Sequence, residues 1–295
     1  MEHVHDYIIA SFRLRLRGVA ADLMAMGLPG FRPFEVAPEV APLLEVETGC
    51  ALGVDAAAET LTEFDFEQGG ARCSFARSDK HWIFIISSVD KPDHIFIYDR
   101  VRCSVKCNAG VVDTSPSFMR FGLWFVFNIA TVQHLTAAVH SSVIVKDSRA
   151  VMFLGESGTG KSTHTRLWRE TIEGATLLND DSPFVAVKDG RAVVYGSPWS
   201  GKTPCYKAQC YPLQAIVRLS QAPHNRMRRL RAVEAIGALL PSLPPAFAFD
   251  RELEEHTLAL LSAVLCGVKV YHLECLPNHE AAELSYNTIF GDEDK

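Results

Sequence analysis

The sequence lacks the features that mark several classes of protein. Its 29 lysines and arginines are outnumbered by 35 aspartates and glutamates, giving a formal charge of −6. The basic excess of a general nucleic-acid-binding surface is therefore missing. The most apolar stretch, 118–129, is interrupted by Arg120 and Asn128 and is too short to span a bilayer. The first residues do not read as a signal peptide. We therefore predict a cytoplasmic protein that binds neither nucleic acid nor a membrane.

The eight cysteines also lack the spacing of a metal or disulfide framework. Only two pairs are close in sequence, Cys103 with Cys107 and Cys205 with Cys210. Neither pair has the two-residue spacing of a structural zinc knuckle. Free thiols in a reducing compartment are expected. What remains is a globular chain of 295 residues, long enough for one large domain or two modest ones.

Two kinds of residue pattern divide the chain near position 112. Before it, strand-like runs such as 8–16, where apolar and polar residues alternate, are separated by turn-forming residues. This predicts a small, mainly antiparallel β module over residues 1–112. After it, an apolar helix from about Ser117 to His134 is followed by alternating strands and helices. That alternation predicts an α/β domain over residues 113–295.

One segment carries a recognisable chemical pattern. Residues Gly155–Ser162 fit the phosphate-loop (P-loop) pattern G-x-x-x-x-G-K-[S/T]. Its glycines let backbone N–H groups converge on phosphate, and the following helix points its positive end at the same anion. Lys161 would reach the β- and γ-phosphates of ATP, and the Ser162 hydroxyl would bind Mg²⁺. The candidate cofactor-binding residues are Gly155, Glu156, Ser157, Gly158, Thr159, Gly160, Lys161, Ser162 and Thr163.

A second segment, Gly196–Thr203, fits the same pattern in a different context. The first copy follows an apolar strand, 150–154, and opens a helix, 163–170. The second copy is followed at once by Pro204, which prevents a helix from starting at Thr203. The first copy is therefore predicted to be the nucleotide cradle. Lys202 of the second copy either contacts phosphate or acceptor as a catalytic residue or lies in an ordinary turn.

Two adjacent carboxylates, Asp180 and Asp181, end a predicted strand shortly after the P-loop. One carboxylate beside a P-loop can hold Mg²⁺, and the other can accept the proton of an attacking hydroxyl. The sequence does not say which aspartate has which task. His140 begins the strand before the P-loop strand, where it is either a catalytic residue or a structural histidine.

Other basic residues have two interpretations each. His164 and Arg166, on the helix after the P-loop, could face a triphosphate, although a solvated helix face is the default. Four arginines (Arg226, Arg228, Arg229 and Arg231) form a basic cluster. Such a cluster suits an anionic acceptor, but a charged surface segment is favoured.

Three of these motifs occur in an order that resembles a known family. The segments His140-Ser-Ser, Gly155–Ser162 and Leu178-Asn-Asp-Asp are similar to the catalytic domain of HPr serine kinase/phosphorylase. The P-loop group concerned includes ATP-dependent phosphoenolpyruvate carboxykinase, and the resemblance covers about Ala137 to the C-terminus. It implies an α/β fold with a mixed sheet, ATP and Mg²⁺ as cofactors, and a homo-oligomer.

The resemblance also implies residue roles. Gly155–Ser162 would hold ATP and Mg²⁺, Asp180 and Asp181 would supply the metal ligand and general base, and His140 would lie near the reacting phosphate. The downstream glycine-containing signature of HPr kinases is not found, and Gly196–Pro204 stands in that region. The N-terminal module also differs from their regulatory domain. The chain therefore looks like a divergent member.

The leading interpretation is a kinase that transfers the γ-phosphoryl group of ATP to a hydroxyl. The acceptor would be a protein, a peptide or a small molecule. Two alternatives remain open. One is a regulatory protein that binds ATP without catalysis, and the other is chemistry of the phosphoenolpyruvate carboxykinase or phosphorylase kind.

Overall fold

A computed structural model describes residues 4–18, 22, 27–66, 70–89, 91–113, 115–201 and 204–291 of the chain. The chain forms two compact units. Unit 1 consists of Met1–Gln133 and Ala246–Glu254, and unit 2 consists of His134–Pro245 and Glu255–Lys295. Among the described residues, no helix is long and apolar enough to cross a membrane.

Unit 1 is built on a nine-stranded sheet. Its strands are β1 (Val4–Ile9), β2 (Phe12–Gly18), β3 (Glu35–Val36), β4 (Leu44–Thr48), β5 (Glu59–Phe66), β6 (Ala71–Arg77), β7 (His81–Ser88), β8 (Lys91–Asp99) and β9 (Ser104–Cys107). Their order is β3-β1-β2-β4-β9-β8-β7-β6-β5. Most neighbours are antiparallel, but β4 lies parallel to both β2 and β9, so the sheet is mixed.

The run 8–16, predicted as one strand, belongs to two. Ala10 and Ser11 reverse the chain with φ of 49° and 69°, and β1 pairs antiparallel with β2 from Ile9 and Phe12 outward. The prediction was wrong because tight turns of this hand usually carry glycine, asparagine or aspartate. None of these residues marks the turn, so the alternation of apolar and polar residues looked continuous.

A long apolar helix packs against this sheet. Helix α1 (Pro116–Val132) stacks Phe125 on Phe84 of β7 with ring centroids 4.0 Å apart. A Cβ at Gly122 would lie 2.1 Å from the Phe96 ring of β8, so the helix approaches the sheet where only glycine fits. The sequence assigned this helix to the domain 113–295. Its aromatic packing instead places it in unit 1.

Unit 2 holds a second large mixed sheet. Its strands are β10 (Thr136–Ala138), β11 (Ser141–Lys146), β12 (Arg149–Leu154), β13 (Thr176–Asp181), β14 (Phe184–Lys188), β15 (Arg191–Tyr195), β16 (Cys210–Gln221), β17 (Arg226–Arg229) and β18 (Lys269–Cys275). The order is β10-β14-β15-β16-β12-β11-β13, with β18 pairing with β16 and with β17. Strand β16 runs parallel to β12 and to β18.

Among the described residues, four further α-helices follow α1. They are α2 (Lys161–Thr171), α3 (Ala232–Leu239), α4 (Arg251–Gly267) and α5 (His279–Phe290). Helices α2 and α5 cover one part of the second sheet, where Trp168 is fully buried and contacts Phe153 edge-on at 5.6 Å. The strand 150–154 and helix 163–170 expected around the P-loop are confirmed, the strand with one more residue at its start and the helix with two more at its start and one at its end. The second large mixed sheet confirms the mixed α/β class.

The close approach of α1 to the sheet generates a stability prediction. Replacing Gly122 by alanine should destabilise the protein by about 1–3 kcal/mol, because the new methyl group overlaps the Phe96 ring. This loss would outweigh the better helix propensity of alanine. The free energy of unfolding from denaturant titration measures the effect.

The matched control is Gly237→Ala in α3, where no described atom outside the nearby helix backbone lies within 4 Å of the added Cβ. That variant should gain about 0.4–1 kcal/mol. Equal gains at both positions would show that α1 does not press on β8 as described.

Candidate active site

The P-loop connects β12 to α2 and has the backbone that phosphate binding needs. Gly158 and Gly160 have φ of 81° and 106°, and among the described residues no atom beyond their chain neighbours lies within 4 Å of the place where either would carry a Cβ. Gly160 is also the N-cap residue of α2. The open, left-handed glycines therefore leave room for an anion at the positive end of the helix.

Lys161, the first residue of α2, is 8% exposed and has three hydrogen-bond acceptors. Its Nζ lies 2.8 Å from the carbonyl oxygen of Gly155, 3.2 Å from that of Glu156 and 3.0 Å from Nε2 of His140. Burial lowers the pKa of Lys161, and the nearby Asp181 and Asp180 offset this only in part. Because an ammonium group has only donors, Nε2 of His140 is the acceptor in this contact.

His140 links Lys161 to Asp181. Its Nδ1 lies 3.4 Å from Oδ1 of Asp181. Since Nε2 accepts from Lys161, the ring proton is on Nδ1 and points to the aspartate. The structure thus brings together three of the predicted catalytic residues, Lys161, His140 and Asp181, in one polar chain.

The two aspartates have different surroundings. Asp180 is 7% exposed, and its Oδ1 accepts a hydrogen bond of 3.1 Å from the Ser162 hydroxyl. The side chain of Asp181 is 28% exposed and lies beside His140 instead. The backbone of Asp181 has a φ of 141°, which residues with a Cβ rarely adopt. Pairing with Ser141 on one side and a bridge to Ser200 on the other hold this conformation.

The second copy of the motif does not form a phosphate cradle of the same kind. Its described residues, Gly196–Gly201, lie against the end of β13, where Gly201 N–H donates to the Asp180 carbonyl oxygen at 2.6 Å. No helix follows within the described residues 204–209, as Pro204 predicted. Lys202 and Thr203 lie outside the described residues, so the prediction of a catalytic Lys202 stays a prediction.

Asn179 fixes this loop to the acidic strand end. Its fully buried amide donates to the carbonyl oxygens of Trp199 at 3.1 Å and Cys205 at 3.3 Å. Its side-chain oxygen accepts the backbone N–H of Ser182 at 3.0 Å. One asparagine therefore positions both the loop and the turn that follows Asp181.

The sequence did not identify Arg218 as a site residue. Arg218 of β16 is the register partner of Leu154, the residue that precedes the P-loop, and its Nη2 lies 3.5 Å from Oε1 of Glu156. The available signal was a single arginine inside the apolar run 213–219. Only the parallel pairing of β12 with β16 shows that this arginine lies beside the P-loop.

A cavity of about 530 Å³ lies beside the P-loop, within unit 2. Residues Gly158–Gly160, Thr163, His164 and Leu167 form one wall. The ends of β16 and β18 form the other, with the residues Leu219, Gln221, Ala222, Cys275, Leu276 and Pro277. The lining is mainly apolar with few polar groups, the usual character of a small-molecule site.

Two basic residues of α2 do not face the P-loop phosphate site. His164 is 3% exposed and its ring lies between Phe153 and Ser285, with Nε2 3.2 Å from the serine hydroxyl. Arg166 pairs with Glu170 one turn along the helix at 2.8 Å. His164 is therefore a core residue rather than the solvated residue that the sequence favoured.

Comparison with known proteins adds a resemblance of fold only. No protein-family model matches the sequence, and no curated protein matches it. Among solved structures, the Hpr(Ser) kinase/phosphatase from Coxiella burnetii is similar to part of the chain. It has 13% identity and a TM-score of 0.29, and the match covers 53% of this chain and 95% of that one. This match is distant, and no residue role is drawn from it.

The burial of His164 generates a pH prediction. Burial lowers its pKa from 6.5 to about 4. Below pH 6.5 the unfolded chain takes up a proton at this residue that the folded protein cannot accept until about pH 4, so stability falls as the pH falls through this window. The loss approaches about 3 kcal/mol at the lower end.

Denaturant titrations between pH 4 and pH 7 measure this slope. His164→Gln should make it shallower without abolishing it, because burial also lowers the pKa of His94 and of His272. His224→Gln, which changes an exposed histidine, should keep the slope of the wild type. If His164→Gln kept the slope of the wild type, other groups would be the cause of the pH dependence of stability.

Proposed function

We propose that this chain is an ATP- and Mg²⁺-dependent kinase that transfers the γ-phosphoryl group to a hydroxyl on a protein, a peptide or a small molecule. The observation that carries the proposal is the contact of 3.1 Å between the Ser162 hydroxyl and the Asp180 carboxylate at the P-loop. A hydroxyl and a carboxylate in this position are the ligands that P-loop enzymes use for Mg²⁺.

The residues at this point fit the metal. Mg²⁺ is usually bound through one or two protein oxygens, with water and substrate phosphates completing an octahedron. Ser162 and Asp180 supply two such oxygens. No group of three or more histidine, cysteine, aspartate or glutamate side chains suited to a metal occurs among the described residues. When bound, Mg²⁺ would supply charge neutralisation between the β- and γ-phosphates.

Lys161 would bind the phosphates by exchanging acceptors. Its ammonium group now donates to two P-loop carbonyl oxygens and to His140. Phosphate oxygens are stronger acceptors because they carry charge. When Lys161 turns to them, His140 Nε2 loses its hydrogen-bond donor. The histidine can then form a hydrogen bond with the acceptor or with the phosphate.

Asp181 is proposed as the general base and Asp180 as the metal ligand. The acceptor oxygen would attack the γ-phosphorus as the bond to ADP breaks, and the hydroxyl proton would pass to the Asp181 carboxylate. His140, with Nδ1 3.4 Å from that carboxylate, would hold its orientation. The exposed fraction of Asp181, 28%, leaves an acceptor hydroxyl room to reach it.

The apolar cavity beside the P-loop would take the nucleoside of ATP. It adjoins Gly158–Gly160, where the α- and β-phosphates would lie, and the Gln221 amide offers a polar contact within it. The finer fold assignment, a divergent phosphotransferase of the HPr kinase and phosphoenolpyruvate carboxykinase kind, is part of this proposal. A cytoplasmic location and a homo-oligomer belong to it as well.

Asp181, the second carboxylate, is not needed to bind Mg²⁺, and its presence favours catalysis over the alternative functions. A regulatory protein that only binds ATP requires the P-loop and one metal ligand, which Asp180 provides. It has no use for a strained Asp181 held next to a histidine. Carboxykinase or phosphorylase chemistry is not favoured by a specific contact among the described residues.

Loss of the P-loop lysine tests the proposal. With γ-labelled ATP and Mg²⁺, and water as the fallback acceptor, Lys161→Ala should lower kcat/KM by about a hundredfold or more, because it removes the cation that stabilises the transferring phosphoryl group. The matched control is Lys188→Ala, which removes an exposed lysine at the end of β14. Equal turnover by both variants, with a contaminating ATPase excluded, would refute the kinase.

The division of labour between the aspartates gives a second test. Asp180→Asn should raise the Mg²⁺ concentration for half-maximal activity by about tenfold, with kcat partly restored at high Mg²⁺. Asp181→Asn should lower kcat by about a hundredfold at every Mg²⁺ concentration and flatten the acid limb of the pH–rate profile. The reverse pattern in the two variants would make Asp181 the metal ligand and Asp180 the general base.

A further inference from the structure

The second unit presents a basic sheet edge that the proposed reaction does not use. We call residues Arg226–Arg231, which comprise β17 and the two residues after it, the arginine edge. Among the described residues, β17 pairs with β18 alone. Its other side therefore presents backbone N–H and C=O groups to which an extended chain could bind.

The arginine edge carries an excess of positive charge. The exposed residues are Arg226, Arg228, Arg229 and Arg231. Arg228 pairs with Glu234 at 2.9 Å, and Glu274 is the backbone register partner of Arg226. Within the part of the chain that the structure describes, no ion pair is formed by Arg226, Arg229 or Arg231. On a chain with a formal charge of −6, such a patch favours an anionic partner.

An apolar stripe lies directly beside the arginine edge. Val233, Ile236 and Leu240 are 82%, 40% and 41% exposed. Their spacing of three and four residues puts them on one face of α3 and of the turn that follows it. Three large exposed aliphatic side chains next to a basic strand indicate a surface for a partner with both acidic and apolar side chains.

A row of side chains joins the arginine edge to the P-loop. Leu154, Arg218, His272 and Arg228 are successive register partners on β12, β16, β18 and β17. Such partners project from the same face of a sheet. Three strand spacings separate the ends of the row, about 14 Å. A segment paired outside β17 lies one spacing further out, about 19 Å from Leu154, so it would reach the phosphate site through about six extended residues.

Helix α3 and the turn after it also contact the site directly. The Ala238 carbonyl oxygen accepts from Arg218 Nη1 at 3.4 Å, and Arg218 in turn contacts Glu156 of the P-loop. The Ser242 carbonyl oxygen accepts the backbone N–H of His140 at 2.7 Å. A partner bound on the apolar stripe would therefore lie on the element that supports both Arg218 and His140.

We propose that the arginine edge and the apolar stripe bind an acidic, extended segment of the protein acceptor. The segment pairs with the free side of β17, places carboxylates against Arg229 on one face of the strand, and lays apolar side chains on Val233 and Ile236 from the other face, which Arg228 shares with α3 through Glu234. This inference rests on the proposed kinase function and narrows its acceptor to a protein or peptide. The strand edge favours an extended peptide over an anionic membrane, which has no backbone groups to pair with it.

Peptide binding tests the surface separately from turnover. The probe is a fluorescent peptide of about twelve residues in which glutamate alternates with isoleucine, and its control has glutamine in place of glutamate. Fluorescence anisotropy without nucleotide should show the acidic peptide binding about tenfold more tightly than the glutamine peptide, with this preference declining as salt increases.

Two variants of the surface and one matched control follow. Arg229→Glu and Val233→Ser should each weaken binding of the acidic peptide, the first by about tenfold. Arg191→Glu, which makes the same charge change at the start of β15, should bind it like the wild type. All three should hydrolyse ATP at the wild-type rate when water is the acceptor.

The outcomes separate this inference from the proposed function. ATP turnover that depends on Lys161, with equal binding of the two peptides or no effect of Arg229→Glu, would overturn the docking surface alone. Binding to phosphatidylserine vesicles in place of the peptide would overturn it too. Absence of ATP turnover in the wild type would refute the proposed kinase. The docking surface would then be refuted as a binding site for a kinase acceptor.

Discussion

The buried ammonium group of Lys161 is the interaction on which the site depends. A cation with 8% exposure needs acceptors, and it has three: the adjacent P-loop residues Gly155 and Glu156, and His140 from another part of the chain. Two are carbonyl oxygens of the loop itself, so the lysine closes the loop on its own backbone. The third ties the loop to the neighbouring strand. Without a phosphate, these contacts keep the lysine paired in a place where an unpaired charge would be costly.

Strand directions explain why these groups meet. Strand β11 is antiparallel to β12, so its first residues lie beside the end of β12, where the P-loop begins. Strand β13 is antiparallel to β11, so its last residues come to the same place. His140 precedes β11, and Asp180 and Asp181 end β13. The start of β11 and the ends of β12 and β13 therefore meet at one edge of the sheet. The parallel strand β16 adds Arg218 from the other side of β12.

The sequence predicted the parts of this site that depend on local chemistry. The P-loop was identifiable because glycines, lysine and serine occur at fixed spacing between an apolar strand and a helix. Arg218 was not identifiable, because its place depends on a parallel pairing between strands about sixty residues apart. The turn at Ala10 and Ser11 was missed because it lacks turn residues. The different surroundings of Asp180 and Asp181 depend on side-chain directions that sequence patterns do not carry.

The backbone of Asp181 has a consequence for how this chain could evolve. A φ of 141° suits glycine and opposes any residue with a Cβ. Selection for stability alone would therefore favour glycine at this position, and selection for a carboxylate beside His140 would oppose it. A lineage that lost the need for the carboxylate would drift to glycine here early, so the residue found at position 181 in related chains would record whether the site is still in use.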